Sequence, residues 1–373
     1  MEKNKRILIL HTSVGLGHKF IAQNIGFQLS QAGFEVRVED ILEVQKGRLA
    51  DISIKIHQWM NVKVPWLWSF LYHLTNKKLV SDLTLPIRLW IASRNSEKTL
   101  ALINSFNPDM VISVQNVPSA VVSYLKKSGK FKGLFGIGFS DFHLHKFWLF
   151  KNADFYLANI EEQKLEMVQL GYKPENIFIC GMTLKPKMEI NIEEVKQRLG
   201  IQPGQRVALV GSGSLGTGFN EELIQKLSQD SDLRPIIVCG KNHREKERLQ
   251  KMFPGGRVII LEFYTPMQEL YAIADIFLSK PGGLSTSESL QYGLPLLLTH
   301  YLPGQEELNV TYLLDKKLVM YEKTDIVGRV KEEITQQGFK NSLIANPNLA
   351  KIVEPKLPAK DAVLTVFKQF HQD

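Results

Sequence analysis

Arg6-Ile7-Leu8-Ile9-Leu10-His11-Thr12-Ser13-Val14-Gly15-Leu16-Gly17 reads as a buried strand, a glycine turn and the start of a helix. The helical pattern continues to about Ala32, Gly33 ends it, and Phe34-Glu35-Val36-Arg37-Val38 forms the next strand. Such a βαβ opening implies a parallel sheet. The same layout returns 200 residues later in Arg206-Val207-Ala208-Leu209-Val210-Gly211-Ser212-Gly213-Ser214-Leu215-Gly216, an architectural echo and not a sequence repeat. Asp109–Ser113 and Leu134–Gly138 extend the first sheet, and Pro235–Cys239 and Arg257–Leu261 extend the second. Between them, Gly181-Met182-Thr183-Leu184-Lys185-Pro186 breaks the pattern as a connector. The expected fold class is α/β, with two domains facing across a cleft and ligands at the carboxyl ends of the strands. The boundaries expected are 1–182, 183–355, and a C-terminal helix over 356–373 that packs back on the first domain.

The chain has 373 residues, 44% hydrophobic and 23% charged, which is globular and too long for one typical core. Cys180 and Cys239 match no metal or redox spacing and read as small buried hydrophobes of a reducing compartment. No signal peptide precedes the first strand, and no apolar run reaches the roughly 18 residues of a spanning helix. The expected location is cytoplasmic. The net charge of +8 is uneven: residues 1–180 carry 22 Lys and Arg against 15 Asp and Glu, and residues 181–373 carry 24 against 23. The basic half is expected to meet something anionic.

A second glycine turn is the most informative local stretch. Ser279-Lys280-Pro281-Gly282-Gly283-Leu284-Ser285-Thr286-Ser287-Glu288 follows the strand-like Ala274–Leu278. The two glycines allow close backbone approach, and Ser285 or Thr286 can cap the helix that follows. A helix start offers unpaired N–H groups and about half a positive charge, which suits a phosphate. Glu288, one turn in, is placed to accept bonds from sugar hydroxyls. The purely structural alternative is a capping box, with Glu288 bonding back to its own helix start.

The segment from Trp59 to Arg94 differs in character. It holds Trp59, Trp66, Trp68 and Trp90, with Phe70, Tyr72, Lys63, Lys77, Lys78, Arg88 and Arg94. Aromatic rings interleaved with basic residues suit an anionic membrane surface, each well-placed base adding about 1 kcal/mol. The alternative is that these rings fill the first domain's core.

Together these residues resemble the glycosyltransferases that include monogalactosyl- and processive glucosyl-diacylglycerol synthases. The resemblance is more distant to the enzyme that adds N-acetylglucosamine to the peptidoglycan lipid intermediate. It is carried by Gly15-Leu16-Gly17-His18, the run Ser140-Asp141-Phe142-His143-Leu144-His145-Lys146-Phe147-Trp148, and Gly181-Met182. Gly211–Ser214, Glu262-Phe263 with Met267, Pro281–Glu288, and Pro303-Gly304-Gln305-Glu306 with Asn309 complete it. The resemblance implies the GT-B fold of two Rossmann-like domains, with a UDP-sugar on the second and a lipid acceptor, diacylglycerol first among them, on the first. It implies that Gly17, Gly211, Ser212 and Gly213 approach the donor, and that Phe263 flanks the uracil with Met267 beside it. Gly282, Gly283, Leu284 and Ser285 would surround the phosphates, Glu288 would bind the ribose, and Gln305 and Glu306 would contact the transferred hexose. Trp148 joins the four earlier tryptophans on the acceptor and membrane side. The implied reaction inverts the anomeric centre and requires no metal or other cofactor, at the inner face of the cell membrane. Ser140 stands where relatives often have threonine, and Leu308 where they often have glycine.

Inverting transfer needs a base for the acceptor hydroxyl and positive potential for the leaving diphosphate. His18, at a helix start that favours the neutral ring, is the leading base. Asp141 is read as an orienting residue or alternative base; in a competing reading His18 binds an anionic lipid phosphate and Asp141 or His145 serves as the base. Three rival functions remain open on the residues alone. A dinucleotide oxidoreductase would use Gly15-x-Gly17 and Asp40, but Phe20 falls where the third glycine belongs. A UDP-sugar epimerase of the same fold would not need the tryptophan-rich segment. A non-catalytic membrane-associated nucleotide-sugar binder would need neither His18 nor Asp141. No nucleic-acid module is recognisable.

Overall fold

A computed structural model describes residues 5–13, 16–45, 60, 63–213, 216, 218–355 and 357–370. The chain forms two compact units. The first comprises Met1–Thr183, Leu302–Leu308 and Glu354–Asp373; the second comprises Leu184–Tyr301 and Asn309–Val353. The short segment 302–308, expected within the second domain, thus clusters with the first.

In the first unit the order is β1 (Arg6–His11), α1 (Leu16–Gln31), β2 (Glu35–Asp40), α2 (Ile41–Gln45), α3 (Pro65–Thr75), α4 (Lys78–Arg94) and α5 (Glu97–Phe106). Then come β3 (Met110–Ser113), α6 (Asn116–Lys127), β4 (Leu134–Gly138), a 3-10 turn at Lys146–Trp148, β5 (Phe155–Ala158), α7 (Glu161–Gln169) and β6 (Ile177–Ile179). The six strands are parallel in the order β2-β1-β3-β4-β5-β6. Ile7, Leu8, Ile9 and Leu10 are fully buried, as a central parallel strand covered on both faces requires. At Gly136 a Cβ would fall 2.2 Å from the Phe155 ring, so β4 must lack a side chain there for β5 to pair beside it.

The second unit runs α8 (Ile192–Arg198), β7 (Arg206–Gly211), α9 (Glu221–Ser228), β8 (Leu233–Val238), α10 (His243–Met252), β9 (Ile259–Leu261), α11 (Met267–Ile273) and β10 (Ile276–Ser279). It continues through α12 (Gly283–Gln291), β11 (Leu296–Leu298), α13 (Gln305–Asp315, whose first residues belong to the first unit), β12 (Met320–Tyr321), α14 (Ile326–Gln336), α15 (Gly338–Ile344) and α16 (Pro347–Val353). Its strand order, β12-β11-β10-β7-β8-β9, is that of a doubly wound Rossmann sheet, with the order reversing between β7 and β10. The last helix, α17 (Ala359–Phe370), belongs to the first unit and packs on α1, with Phe367 stacked on Phe34 at 5.6 Å between centroids.

Candidate functional site

Both sheets offer a crevice where their strand order reverses, beyond the carboxyl ends of the strands. In the second unit this point lies between β7 and β10, and both glycine turns leave the sheet there. A Cβ on Gly211 would come within 3.1 Å of the Phe277 ring. Gly213 has φ +70, which favours glycine, and the Lys280 side chain reaches to 3.2 Å of where its Cβ would be. Lys280 thus brings a cation to the turn, a role sequence reasoning did not assign to it. Ser212 is buried, and Ser214 lies outside the described residues.

Helix α12 begins earlier than expected. Gly282 is its N-cap, so Ser285 and Thr286 sit inside the first turns and do not cap it. Ser285 Oγ donates to Gly282 O instead. With a glycine cap, no side chain competes for the first N–H groups, which stay available to an anion. Thr286 Oγ1 and Ser287 Oγ, both buried, have no hydrogen-bond partner among the described residues. Glu288 does not close a capping box; it bonds to Tyr271. Burial pushes its carboxyl up to about 7, against the pull of Lys185 and of that hydrogen bond. Leu284 faces the core, Phe263 follows β9 and is 42% exposed, and Met267 opens α11.

In the first unit the order reverses between β1 and β3, and His18 spans that point. Its Nδ1 lies 3.0 Å from the carbonyl of Val114, the residue after β3. A carbonyl only accepts, so Nδ1 carries the proton and Nε2 of the neutral ring is left as a proton acceptor. Loss of hydration lowers the His18 pKa from 6.5, and Asp141 opposes the shift. The ring packs at 5.7 Å from Trp148. Gly17, at the start of α1, has open space where its Cβ would be, so packing does not require a glycine there.

Asp141 is buried in the loop after β4. Its backbone carbonyl accepts from Asn159 Nδ2 and Gln163 Nε2, both at 3.0 Å, and its Oδ2 accepts from Gln305 Nε2 at 2.8 Å. Gln305 and Asp141 both belong to the first unit, although 164 residues separate them. Glu306, expected on the sugar, turns back on its own loop: its Oε2 accepts from the Leu302 N–H at 2.8 Å.

His145 is not placed to act as a base. Its Nε2 donates to the Tyr72 carbonyl at 3.0 Å, and its Nδ1 accepts from the Phe147 N–H at 3.3 Å. With both nitrogens engaged and the ring buried, its pKa falls to about 4, chiefly from lost hydration. Its place is structural, capping the Lys146–Trp148 turn. His143 meets the Tyr72 hydroxyl across 2.6 Å.

The tryptophans divide. Trp66 is 70% exposed on α3, and Phe70 follows one turn later on the same face. On α4, Leu79, Leu83, Ile87, Trp90 and Ile91 form an exposed stripe at helical spacing. Lys63, Lys77, Lys78 and Arg94 are exposed around them. Trp68 and Trp148 are half-buried, and Trp59 lies outside the described residues. Arg88, grouped by sequence with the surface bases, is buried instead, its guanidinium 3.9 Å over the Phe147 ring. Among the described residues no helix is long and apolar enough to cross a membrane, and no cluster of three His, Cys, Asp or Glu is placed to hold a metal ion.

Comparison with known proteins fits this geometry. Residues 18–184 match the family model described as monogalactosyldiacylglycerol synthase, and residues 207–355 match the glycosyltransferase family 28 C-terminal domain. A processive diacylglycerol β-glucosyltransferase of Bacillus subtilis is 28% identical over 85% of this chain and 83% of its own length. Among solved structures, MurG of Acinetobacter baumannii aligns with a TM-score of 0.60 at 14% identity, covering 98% of this chain and 99% of MurG. A UDP-N-acetylglucosamine 2-epimerase aligns at 0.58 with 13% identity, covering 100% and 98%. The structural likenesses establish the GT-B fold. The resemblance to the glycolipid-forming glycosyltransferases holds in both units.

Proposed function

We propose that this relative of the diacylglycerol glycosyltransferases moves a hexose from a UDP-sugar onto diacylglycerol, with inversion, at the cytoplasmic face of the cell membrane. The observation that carries the reading is the His18 Nδ1 bond to Val114 O, which leaves Nε2 unprotonated and able to take the acceptor hydroxyl's proton. As that oxygen attacks the anomeric carbon, the bond to the diphosphate breaks and UDP departs with its electron pair. The Gly211–Gly213 turn, Lys280 and the first turn of α12 supply positive potential where that charge develops. Glu288 accepts from the ribose hydroxyls, and Phe263 lies along the uracil. Gln305 holds Asp141, whose negative charge favours protonation of His18 as it takes up the proton. No resident cofactor is invoked; UDP-sugar is a substrate.

The exposed stripe on α3 and α4, ringed by basic side chains, supports action on an anionic membrane. The test is UDP release and lipid-product mass from purified protein with diacylglycerol vesicles and UDP-glucose, UDP-galactose or UDP-N-acetylglucosamine. A vesicle-dependent gain of one sugar supports the reading and names the donor. Epimerised donor without lipid product, or UDP bound without turnover, overturns it.

A further inference from the structure

Tyr72 has no part in the donor seat or in proton transfer, yet three segments of the first unit meet on it. Helix α3 has two faces: Trp66 and Phe70 point to solvent, whereas Tyr72 is buried. The Tyr72 hydroxyl bonds with His143 Nε2 at 2.6 Å, and its backbone carbonyl accepts from His145 Nε2 at 3.0 Å. The Tyr72 and His145 rings lie 4.2 Å apart between centroids. The third segment is 302–308. Gly304 has φ +91, and a Cβ there would come within 3.2 Å of Tyr72 Cβ and 3.4 Å of Ser69 Cα. Close approach to α3 at this point is therefore reserved for glycine, and the next residue is Gln305, which holds Asp141.

The neighbouring contacts run the same way. Asn76, just after α3, accepts from the Lys146 N–H at 2.9 Å. Ser81 on α4 donates to the Lys146 carbonyl at 3.1 Å, and Arg88 donates to the Phe147 carbonyl. The underside of the apolar-faced helices thus grips the turn that ends in Trp148, which packs on His18. His143 itself lines a cavity of about 260 Å³ with Asn76, Phe142, Leu144 and Leu308.

We propose that Tyr72 is a positioning residue for transfer: through its hydroxyl it fixes the His143 ring, and with it the 141–145 segment, in register with Gly304–Gln305 and with the lipid-facing helix. The proposal rests on the transferase reading above. Tyr72 acts on the acceptor side through His143, so its loss lowers kcat and leaves donor binding alone. A misplacement of about 1 Å at a reacting centre costs up to about 10²-fold.

The experiment is a double-mutant cycle on the full chain with Tyr72→Phe, His143→Gln and both together. The assay uses diacylglycerol vesicles and whichever UDP-hexose the unmodified protein turns over. Tyr72→Phe is expected to lower kcat about tenfold or more with the donor KM within about twofold, and the double variant to fall no further than the worse single one. Tyr72→Phe with full kcat, or losses that multiply in the double variant, overturns the proposal. If Tyr72→Phe does not fold, 3-fluorotyrosine in place of Tyr72 keeps ring and hydroxyl but changes the phenol's acidity. An altered kcat and pH profile at unchanged Tm then supports the role, and an unchanged kcat overturns it. An unmodified protein inactive with every donor overturns the transferase reading, and the role with it. Indifference of Tyr72→Phe in an active enzyme sinks the role of Tyr72 alone.

Discussion

Gln305 Nε2 donates to Asp141 Oδ2 over 2.8 Å, so a residue expected at the transferred sugar holds a residue expected at the proton transfer. The amide donates and the carboxylate accepts, an arrangement that glutamate at 305 would break. Gln305→Glu sets two carboxylates against each other in a part-buried place and is expected to lower kcat more than Gln305→Ala does. The gap between the two variants closes as pH falls and one carboxylate takes a proton. A gap that stays constant from pH 8 to pH 5 refutes this account.

His18→Ala is expected to lower kcat by about 10²–10⁴-fold, while the Kd for UDP measured by calorimetry stays within about twofold. In the unmodified protein the acid limb of the kcat profile falls below 6.5, because burial lowers the His18 pKa and delays its protonation. Full turnover in His18→Ala removes His18 as the base.

Glu288 is raised from 4.5 to about 7, so near neutrality part of the population carries a neutral carboxyl, a poorer acceptor for two hydroxyls. Uridine, which has no titrating phosphate, should bind more tightly as pH rises from 6 to 8. Glu288→Gln should bind about tenfold more weakly and without that slope. Linkage gives a second readout. A raised folded-state pKa means stability from this group is present below 4.5 and lost as pH rises through about 7. The Tm of Glu288→Gln relative to the unmodified protein should therefore climb between pH 5 and pH 8.

The stripe on α4 is testable by charge. Leu83→Glu with Ile87→Glu should reduce sedimentation with anionic vesicles severalfold and leave Tm within a few degrees, since Leu83 is 68% exposed and Ile87 59%. Raising salt should weaken the binding of the unmodified protein by screening Lys63, Lys77, Lys78 and Arg94. Undiminished binding of the double variant rules this face out.

The sheets were legible because their central strands are continuous apolar runs: Arg6–Leu10 and Arg206–Val210 coincide with β1 and β7 to within a residue. Three of the shorter strands were not. β12 has two residues and β6 and β11 have three, too few to show a period. Motif residues at strand ends were readable because glycine spacing reports backbone approach directly. Side-chain partnerships were not, since Tyr72 with His143, Tyr271 with Glu288 and Gln305 with Asp141 join residues distant in sequence. Arg88 shows the limit most plainly: its composition says surface, whereas Phe147 and Phe150 surround it with rings and Ser81 and Phe147 with carbonyls.

The first unit is assembled from three stretches, the last of them α17 against α1. On a translating ribosome, a chain that has emerged as far as Thr183 still lacks both Gln305 for Asp141 and Phe367 for Phe34. The first unit therefore cannot complete these two contacts until the second has been made, in contrast to domains that close one after another during synthesis. Chains that end before Gln305 are left without the hydrogen-bond partner of Asp141.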